Sequence, residues 1–215
     1  MKPQELIQKI SEKNFDMDAF VQLTFDDGNA RNEIVQNMLT NPSIMVYYHC
    51  FYVIDAASQK RPDLFYPYWN EIVQLLHHKN SYHRDFALEI IGNLTKIDQE
   101  NRFSDIEEEY FGLINDEKFM TGNRCVRNFL KIFKYKADQR ARIVETLLNI
   151  DQRCNYTEKQ KGVLKSDVLE ILDEIYTEVS EQDKINALIR AEVNCISPKT
   201  RKKAKELIKK YKMIR

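Results

Sequence analysis

Residues 67–94 read PYWNEIVQLLHHKNSYHRDFALEIIGNL, and the fold class is inferred outward from this stretch. Apolar residues recur at spacings of three and four on both sides of a polar segment at residues 77–80. Such spacing gathers the apolar side chains on one face of an α-helix. Two amphipathic helices joined by a turn this short pack against each other. The stretch therefore predicts one helix pair.

The rest of the chain has the same helical periodicity, and no segment alternates with a period of two. The clearest apolar stripe runs from Leu164 to Val179. With five Gly and five Pro in 215 residues, the composition favours long helices over a β-rich fold. Caps and helix breakers predict helices near residues 3–13, 16–24, 28–40, 43–58, 63–78, 81–96, 104–115, 121–134, 138–151, 157–179, 182–194 and 198–212. Predicted N-caps are Ser81, Ser104 with Glu107 at the capping-box spacing, Thr157 and Ser197.

A basic residue followed by small or apolar residues recurs in the second helices of these pairs. Arg84 is followed by Ala87 at +3 and by apolar residues at +6 and +7. Lys165 and Arg201 begin the same pattern, and Arg124 begins a weaker copy. A recurrence at roughly 40 residues is typical of a helical solenoid, in which each pair buries its apolar face against its neighbours.

Residues 67–94 resemble a HEAT repeat, with Pro67 at the proline of the first helix and Arg84 and Ala87 in the second. The stretch departs from the family pattern at His78 and Lys79 in the turn, and at His83. The resemblance implies an all-α fold, a right-handed α-solenoid (superhelix) of antiparallel HEAT-like helix pairs. We expect a single domain over 1–215, with capping helices at 1–27, repeats at 28–196 and a basic capping helix at 197–215.

Composition and motifs point away from catalysis. The 33 basic and 33 acidic residues balance, and the four cysteines show no CxxC spacing. The sequence contains no GxSxG, HExxH, GxxxxGK[ST] or GxGxxG motif. His77, His78, His83 and Asp85 lack the spacing of a zinc site, so we expect neither metal nor cofactor. The apolar run at 44–54 is too short to span a bilayer, and the start of the chain has no apolar signal region. We expect a cytoplasmic protein.

The C-terminal segment carries the strongest charge bias, with nine basic residues and one acidic residue, Glu206, over residues 199–215. We consider two interpretations, a binding strip for an anionic partner and the solvated face of a terminal capping helix. The candidate partner-binding residues are Lys202, Lys203, Lys205, Lys209 and Lys210, together with Arg84 and Arg124. As residues of a HEAT-like repeat, the two arginines are expected to bond the neighbouring turn first.

Aromatic residues are concentrated between residues 44 and 69. Tyr66, Tyr68 and Trp69 form a candidate aromatic patch for a base or a peptide, and the competing interpretation places these rings in the core. The helix over 44–57 is apolar nearly all round and is expected to be buried on most sides.

The sequence thus predicts a non-enzymatic HEAT-like scaffold that binds a protein or peptide partner through its concave surface. The alternative is a nucleic-acid-binding protein related to the HEAT-like DNA alkylation-repair glycosylases, which need an aromatic residue and a carboxylate near the damaged base. Trp69, Asp85, Arg84 and Arg124 are the residue types that such an enzyme requires. We assign no catalytic residue under either hypothesis.

Overall fold

The computed structural model describes residues 3–213, and every regular element in that range is helical. The α-helices are α1 (Pro3–Ile10), α2 (Met17–Asp26), α3 (Gly28–Thr40), α4 (Ile44–Lys60), α5 (Trp69–Gln74), α6 (Ser81–Leu94), α7 (Phe103–Gly112), α8 (Phe119–Tyr135), α9 (Arg140–Leu148), α10 (Ile150–Arg153), α11 (Glu158–Glu174), α12 (Gln182–Ala191) and α13 (Pro198–Lys210). The all-α prediction is confirmed. None of the helices within 3–213 is long and apolar enough to cross a bilayer.

The chain divides into two compact units, Met1–Glu108 and Glu109–Arg215, whose terminal residues 1–2 and 214–215 lie outside the described range. In the first unit α4 is central and packs against α1, α2, α3 and α6. The core contains Ile34, Val35 and Met38 from α3, Val53 and Ile54 from α4, and Ala87, Ile90 and Ile91 from α6. The Asn93 amide on α6 donates hydrogen bonds to the Asp55 carboxylate (2.8 Å) and to the Ser58 hydroxyl (2.9 Å) on α4. These bonds link α6 to α4.

In the second unit α11 lies between α8 and α13. Most of the predicted apolar stripe is buried, namely Leu164, Val168, Ile171, Leu172 and Ile175, whereas Val179 lies beyond the end of α11 and is half-buried. At one end of the unit the phenol of Tyr156 passes beside Gly122 and donates to the Asp116 carbonyl at 2.8 Å. A Cβ atom at residue 122 would lie 2.1 Å from the Tyr156 oxygen, so this close approach requires glycine.

Two of the four predicted N-caps are confirmed and two are wrong. Thr157 forms the capping box of α11 with Gln160, and the Ser197 hydroxyl caps α13. Ser81 is already inside α6, because the side chain of Asn80 accepts the cap hydrogen bond. Ser104 lies inside α7, which begins at Phe103, and donates to the Asn101 carbonyl; the Asp98 carboxylate accepts from the backbone N–H groups of residues 102 and 103. In both cases a neighbouring Asn or Asp replaces the serine as the acceptor.

Several helices are shorter than predicted. The segment 63–78 contains two 3-10 turns before α5 begins at Trp69, because Pro62 and Pro67 lack the N–H groups that a continuous helix would use. The helix predicted at 157–179 ends at Glu174, and the segment predicted at 138–151 is divided between α9 and α10. These differences lie at helix ends and leave the order of helices unchanged.

The end of a first helix has the same backbone geometry in three places. α5, α7 and α12 each continue into one 3-10 turn. The residue after that turn has φ −68° and ψ 138° at His78, φ −54° and ψ 144° at Asp116, and φ −50° and ψ 146° at Cys195. An extended residue after a 3-10 turn ends the helix and directs the chain into the next one. The repeat inferred from the sequence is therefore also a repeat of backbone conformation.

Candidate interaction surfaces

Two of the recurring basic residues bond the turn between helices. Arg84 Nη1 donates to the carbonyl oxygens of His78 (2.7 Å) and Lys79 (3.3 Å). Arg201 Nη1 repeats both bonds to the carbonyl oxygens six and five residues before it, at 2.7 and 3.1 Å. Each guanidinium thus satisfies carbonyl groups left at the end of a first helix. Arg84 is 7% exposed, so its side chain is largely covered where it bonds this turn.

Lys165 occupies the same position of the repeat but binds carboxylates. Its Nζ lies 2.6 Å from Asp151 and 2.9 Å from Glu192. Burial alone would lower the pKa of Lys165, but the hydrogen bonds to the two carboxylates outweigh it and the pKa is raised. Arg124, the weaker copy, lies half-buried on α8.

The candidate patch of Tyr66, Tyr68 and Trp69 is largely built into the fold. The Trp69 side chain is 2% exposed and presents no ring face for stacking. The Tyr66 hydroxyl donates to the Asp98 carboxylate at 2.6 Å, and the guanidinium of Arg102 lies 5.0 Å from the centre of its ring. Burial, followed by the hydrogen bond to Asp98, raises the pKa of Tyr66. Tyr68 is half-buried at the N-terminus of α5.

A different set of aromatic and apolar side chains faces solvent in the first unit. We call it the tyrosine surface; it consists of Ile44, Met45, Tyr48 and Tyr52 on α4 and Tyr82 on α6. Ile44 is 62% exposed, and Met45, Tyr52 and Tyr82 are 43 to 45% exposed. Residues 44, 48 and 52 are four apart and share one face of α4. The helix is buried on most sides, as expected, and this face is the exception.

Tyr48 joins the two helices of the tyrosine surface. Its ring centre lies 5.8 Å from that of Tyr52 and 5.0 Å from that of Tyr82, which it meets at 66°. The ring centre of Phe86 lies 5.3 Å from that of Tyr48, and the two rings meet edge to face. Burial, followed by the nearby negative charges of the other two phenols and Asp85, raises the pKa of Tyr48 to about 12. Its hydroxyl is therefore a neutral hydrogen-bonding group at physiological pH.

The sequence offered one signal for this surface. Residues 44–54 contain no Asp, Glu, Lys or Arg, although the exposed residues belong to the first three turns of α4. A run without charged residues does not show which side of its helix faces solvent, because no charged residue marks that side.

The acidic side chains of α11 hold one side of the basic helix α13. The Asp173 carboxylate lies 3.2 Å from Lys203 Nζ and 2.6 Å from Lys210 Nζ, and it accepts a hydrogen bond from the Tyr211 hydroxyl at 2.6 Å. Burial alone would raise the pKa of Asp173, but these hydrogen bonds outweigh it and the pKa is lowered. Lys199 Nζ lies 3.1 Å from Asp167 in the same way. Lys203 and Lys210 therefore anchor α13 to α11.

The remaining candidate lysines face outward. Lys202 is 81% exposed at its side chain, and Lys205 and Lys209 are also exposed. We call these three the lysine row. Lys202 Nζ lies 4.0 Å from the carboxylate of Glu206. Arg215, the last basic residue of the segment, lies outside the described residues.

Two of the clustered histidines, His78 and His83, pack against other rings of the first unit. The rings of His78 and His83 lie 4.2 Å apart, and His83 also contacts Tyr47 and Phe86. Burial, followed by the neighbouring His78, lowers the pKa of His83 to about 4. Within residues 3–213, no group of three His, Cys, Asp or Glu side chains is arranged to hold a metal ion.

Comparisons with known proteins give a structural similarity but no family. No family model matches the chain, and no curated protein matches it. The crystal structure of an engineered protein, a structural genomics target, is similar with a TM-score of 0.51. The two chains are 13% identical, and the similarity covers 97% of this chain and 98% of the other. At this identity the similarity concerns the fold alone.

Proposed function

We propose that this protein is a non-enzymatic, HEAT-like repeat scaffold that binds a protein or peptide partner. In this proposal the helix pairs are antiparallel and stack into a right-handed superhelix, with the second helices lining the concave binding face. The recurring turn geometry and the matching bonds of Arg84 and Arg201 support a repeat architecture.

The observation that carries the proposal is the tyrosine surface. Four of its five side chains are more than two-fifths exposed, although they are apolar or aromatic. Tyrosine and methionine are enriched at protein interfaces, where a tyrosine combines a large contact area with a hydroxyl that can donate or accept a hydrogen bond. Contiguous exposed groups of this kind mark binding sites more often than singly scattered ones do.

The charge of the tyrosine surface favours a protein partner over a polyanion. Its five members carry no positive charge at neutral pH, so they offer phosphate groups no electrostatic attraction. A peptide with apolar side chains would gain by removing the exposed apolar area from water, at about 25 cal/mol per Å². We therefore place the peptide-binding site here rather than at Tyr66, Tyr68 and Trp69.

The chemistry of the cysteines supports a non-enzymatic protein. Cys50, Cys125 and Cys154 are buried, and burial raises the pKa of all three thiols and of the partly exposed Cys195, to about 12 for Cys50. A thiol with a raised pKa has little thiolate at neutral pH and is a poor nucleophile.

The test is a peptide selection followed by measured affinities. Peptides displayed on phage are selected on the purified chain, and the bound sequences are synthesised and titrated. Replacing Tyr52 or Tyr82 by Ser should weaken binding by about 2 kcal/mol, roughly 30-fold in Kd, if the residue anchors the peptide. Tyr135→Ser on α8 is the matched control, because Tyr135 is 45% exposed, as Tyr52 is. Equal losses in all three variants, or none in the first two, would reject the tyrosine surface as the site.

A further inference from the structure

We propose that the lysine row of α13 (Lys202, Lys205 and Lys209) binds the phosphate backbone of double-stranded nucleic acid. This site consists of other residues than the tyrosine surface and lies in the second unit, so it is an additional binding activity and does not depend on the peptide proposal.

The structure divides the lysines of α13 into two groups. Lys199, Lys203 and Lys210 face α11 and meet the carboxylates of Asp167 and Asp173. They neutralise acidic side chains of their own unit. The lysine row lies on the adjoining face of the helix and points away from those carboxylates. Attachment of α13 to α11 therefore explains the positions of Lys199, Lys203 and Lys210, but not those of the lysine row.

The helix dipole does not explain the row either. Positive charges are stabilised near the C-terminus of a helix, within the last turn. Lys209 lies in that turn of α13, but Lys202 lies in the N-terminal half of the helix and Lys205 just past its middle, so both lie outside the last turn. Two of the three lysines of the row are thus placed where neither the dipole nor a carboxylate of α11 stabilises them.

The spacing of the row fits a duplex. Lys202 and Lys209 are seven residues apart, so their Cα atoms span about 10.5 Å along the helix. One strand of a duplex presents about three phosphates over that length, at about 3.4 Å of axis each. Three flexible ammonium groups can therefore each reach a phosphate on one strand. Glu206 lies beside the row at 4.0 Å from Lys202 and reduces its net charge by one.

Other anionic partners fit the row less well. Beside the row, Ala204 and Leu207 are buried and Ile208 is half-buried, so a protein partner would gain little besides exposed ion pairs, worth about 0–1 kcal/mol each. Tyr211, the nearest aromatic residue, is stacked on Tyr176 and bonded to Asp173, so it is not free to insert into a membrane. Duplex phosphates need no apolar contact, because binding is driven by the release of condensed counterions.

The experiment measures binding of the purified full chain to a fluorescently labelled duplex of about 20 base pairs by anisotropy, at salt concentrations from about 20 to 200 mM. The variant replaces Lys202, Lys205 and Lys209 by Gln. A matched control replaces Lys60, Lys79 and Lys159 by Gln; these lysines are exposed on other segments, and the change in net charge is identical. Circular dichroism and Tm confirm that both variants are folded.

We expect the row variant to bind more weakly and its log–log salt slope to become shallower by about 2.7, the value for three phosphate contacts, while the control matches the wild type. Three equal slopes, or no binding of the duplex at the lowest salt, overturn the proposal. Phosphatidylserine vesicles and polyglutamate are titrated in the same buffers. Tighter binding to either probe, lost in the row variant, would assign the row to that partner and likewise overturn the proposal.

Discussion

The buried ring of His83 makes the stability of the fold depend on pH in a defined way. His83 is 4% exposed and packs between His78, Tyr47 and Phe86. Burial is the largest cause of its lowered pKa of about 4, compared with 6.5 in an unfolded chain. The unfolded chain therefore binds a proton below pH 6.5, whereas the folded chain does not until pH falls to about 4. The stability contributed by His83 is complete above pH 6.5 and is lost as pH falls through this window.

The magnitude follows from the two pKa values. Between about pH 7.5 and pH 4.5, linkage gives a loss of about 2.5 kcal/mol in the free energy of unfolding from this one group. The assay is urea unfolding of the wild type and of His83→Phe at both pH values, followed by circular dichroism. Carboxylates titrate in both proteins, so the informative quantity is the difference between their pH dependences.

We expect His83→Phe to lose about 2.5 kcal/mol less than the wild type on acidification, whatever its stability at neutral pH. The ring of Phe keeps the aromatic contacts without a titrating group. If the two proteins lose the same free energy between these pH values, then His83 is not held neutral by its surroundings and the reasoning fails.

Three further substitutions test the packing and the repeat. Ala87→Arg should destabilise the first unit by about 3–5 kcal/mol, because Ala87 is 0% exposed and a buried guanidinium would lack a partner; an unchanged Tm would contradict that. Gly122→Ala should cost about 2–4 kcal/mol, since its Cβ would lie 2.1 Å from the Tyr156 oxygen and displace that hydroxyl from its bond. In urea unfolding, the same change made in a Tyr156→Leu background should cost clearly less. Arg201→Met should lower the free energy of unfolding by about 1.5–3 kcal/mol, because the bonds to two backbone carbonyls are lost. Arg201→Lys should restore only part of that stability, because an ammonium group lacks the planar geometry of a guanidinium. Equal stability of the wild type and both variants would argue against a structural role for this arginine.

Periodicity was sufficient for the helices because each face is set by local spacing. The stripe predicted from Leu164 to Val179 is buried as far as Ile175, and Thr157 and Ser197 cap their helices. The errors lie at helix ends, where several acceptors compete for the same N–H groups. The side chains of Asn80 and Asp98 accept these hydrogen bonds in place of the predicted serines. Residue spacing alone does not indicate which acceptor is used.

The sequence by itself determined that this chain is helical and that Arg84 and Arg201 occupy equivalent positions in their helices. Only tertiary structure decided which aromatic rings face water and which lysines are paired. Trp69 is covered and Tyr52 is not, although both lie in aromatic-rich segments, because the exposure of a ring depends on which helices pack over it. Lys203 meets the Asp173 carboxylate 30 residues earlier in the chain, while Lys202 does not, because the packing of α13 on α11 turns adjacent side chains to different faces.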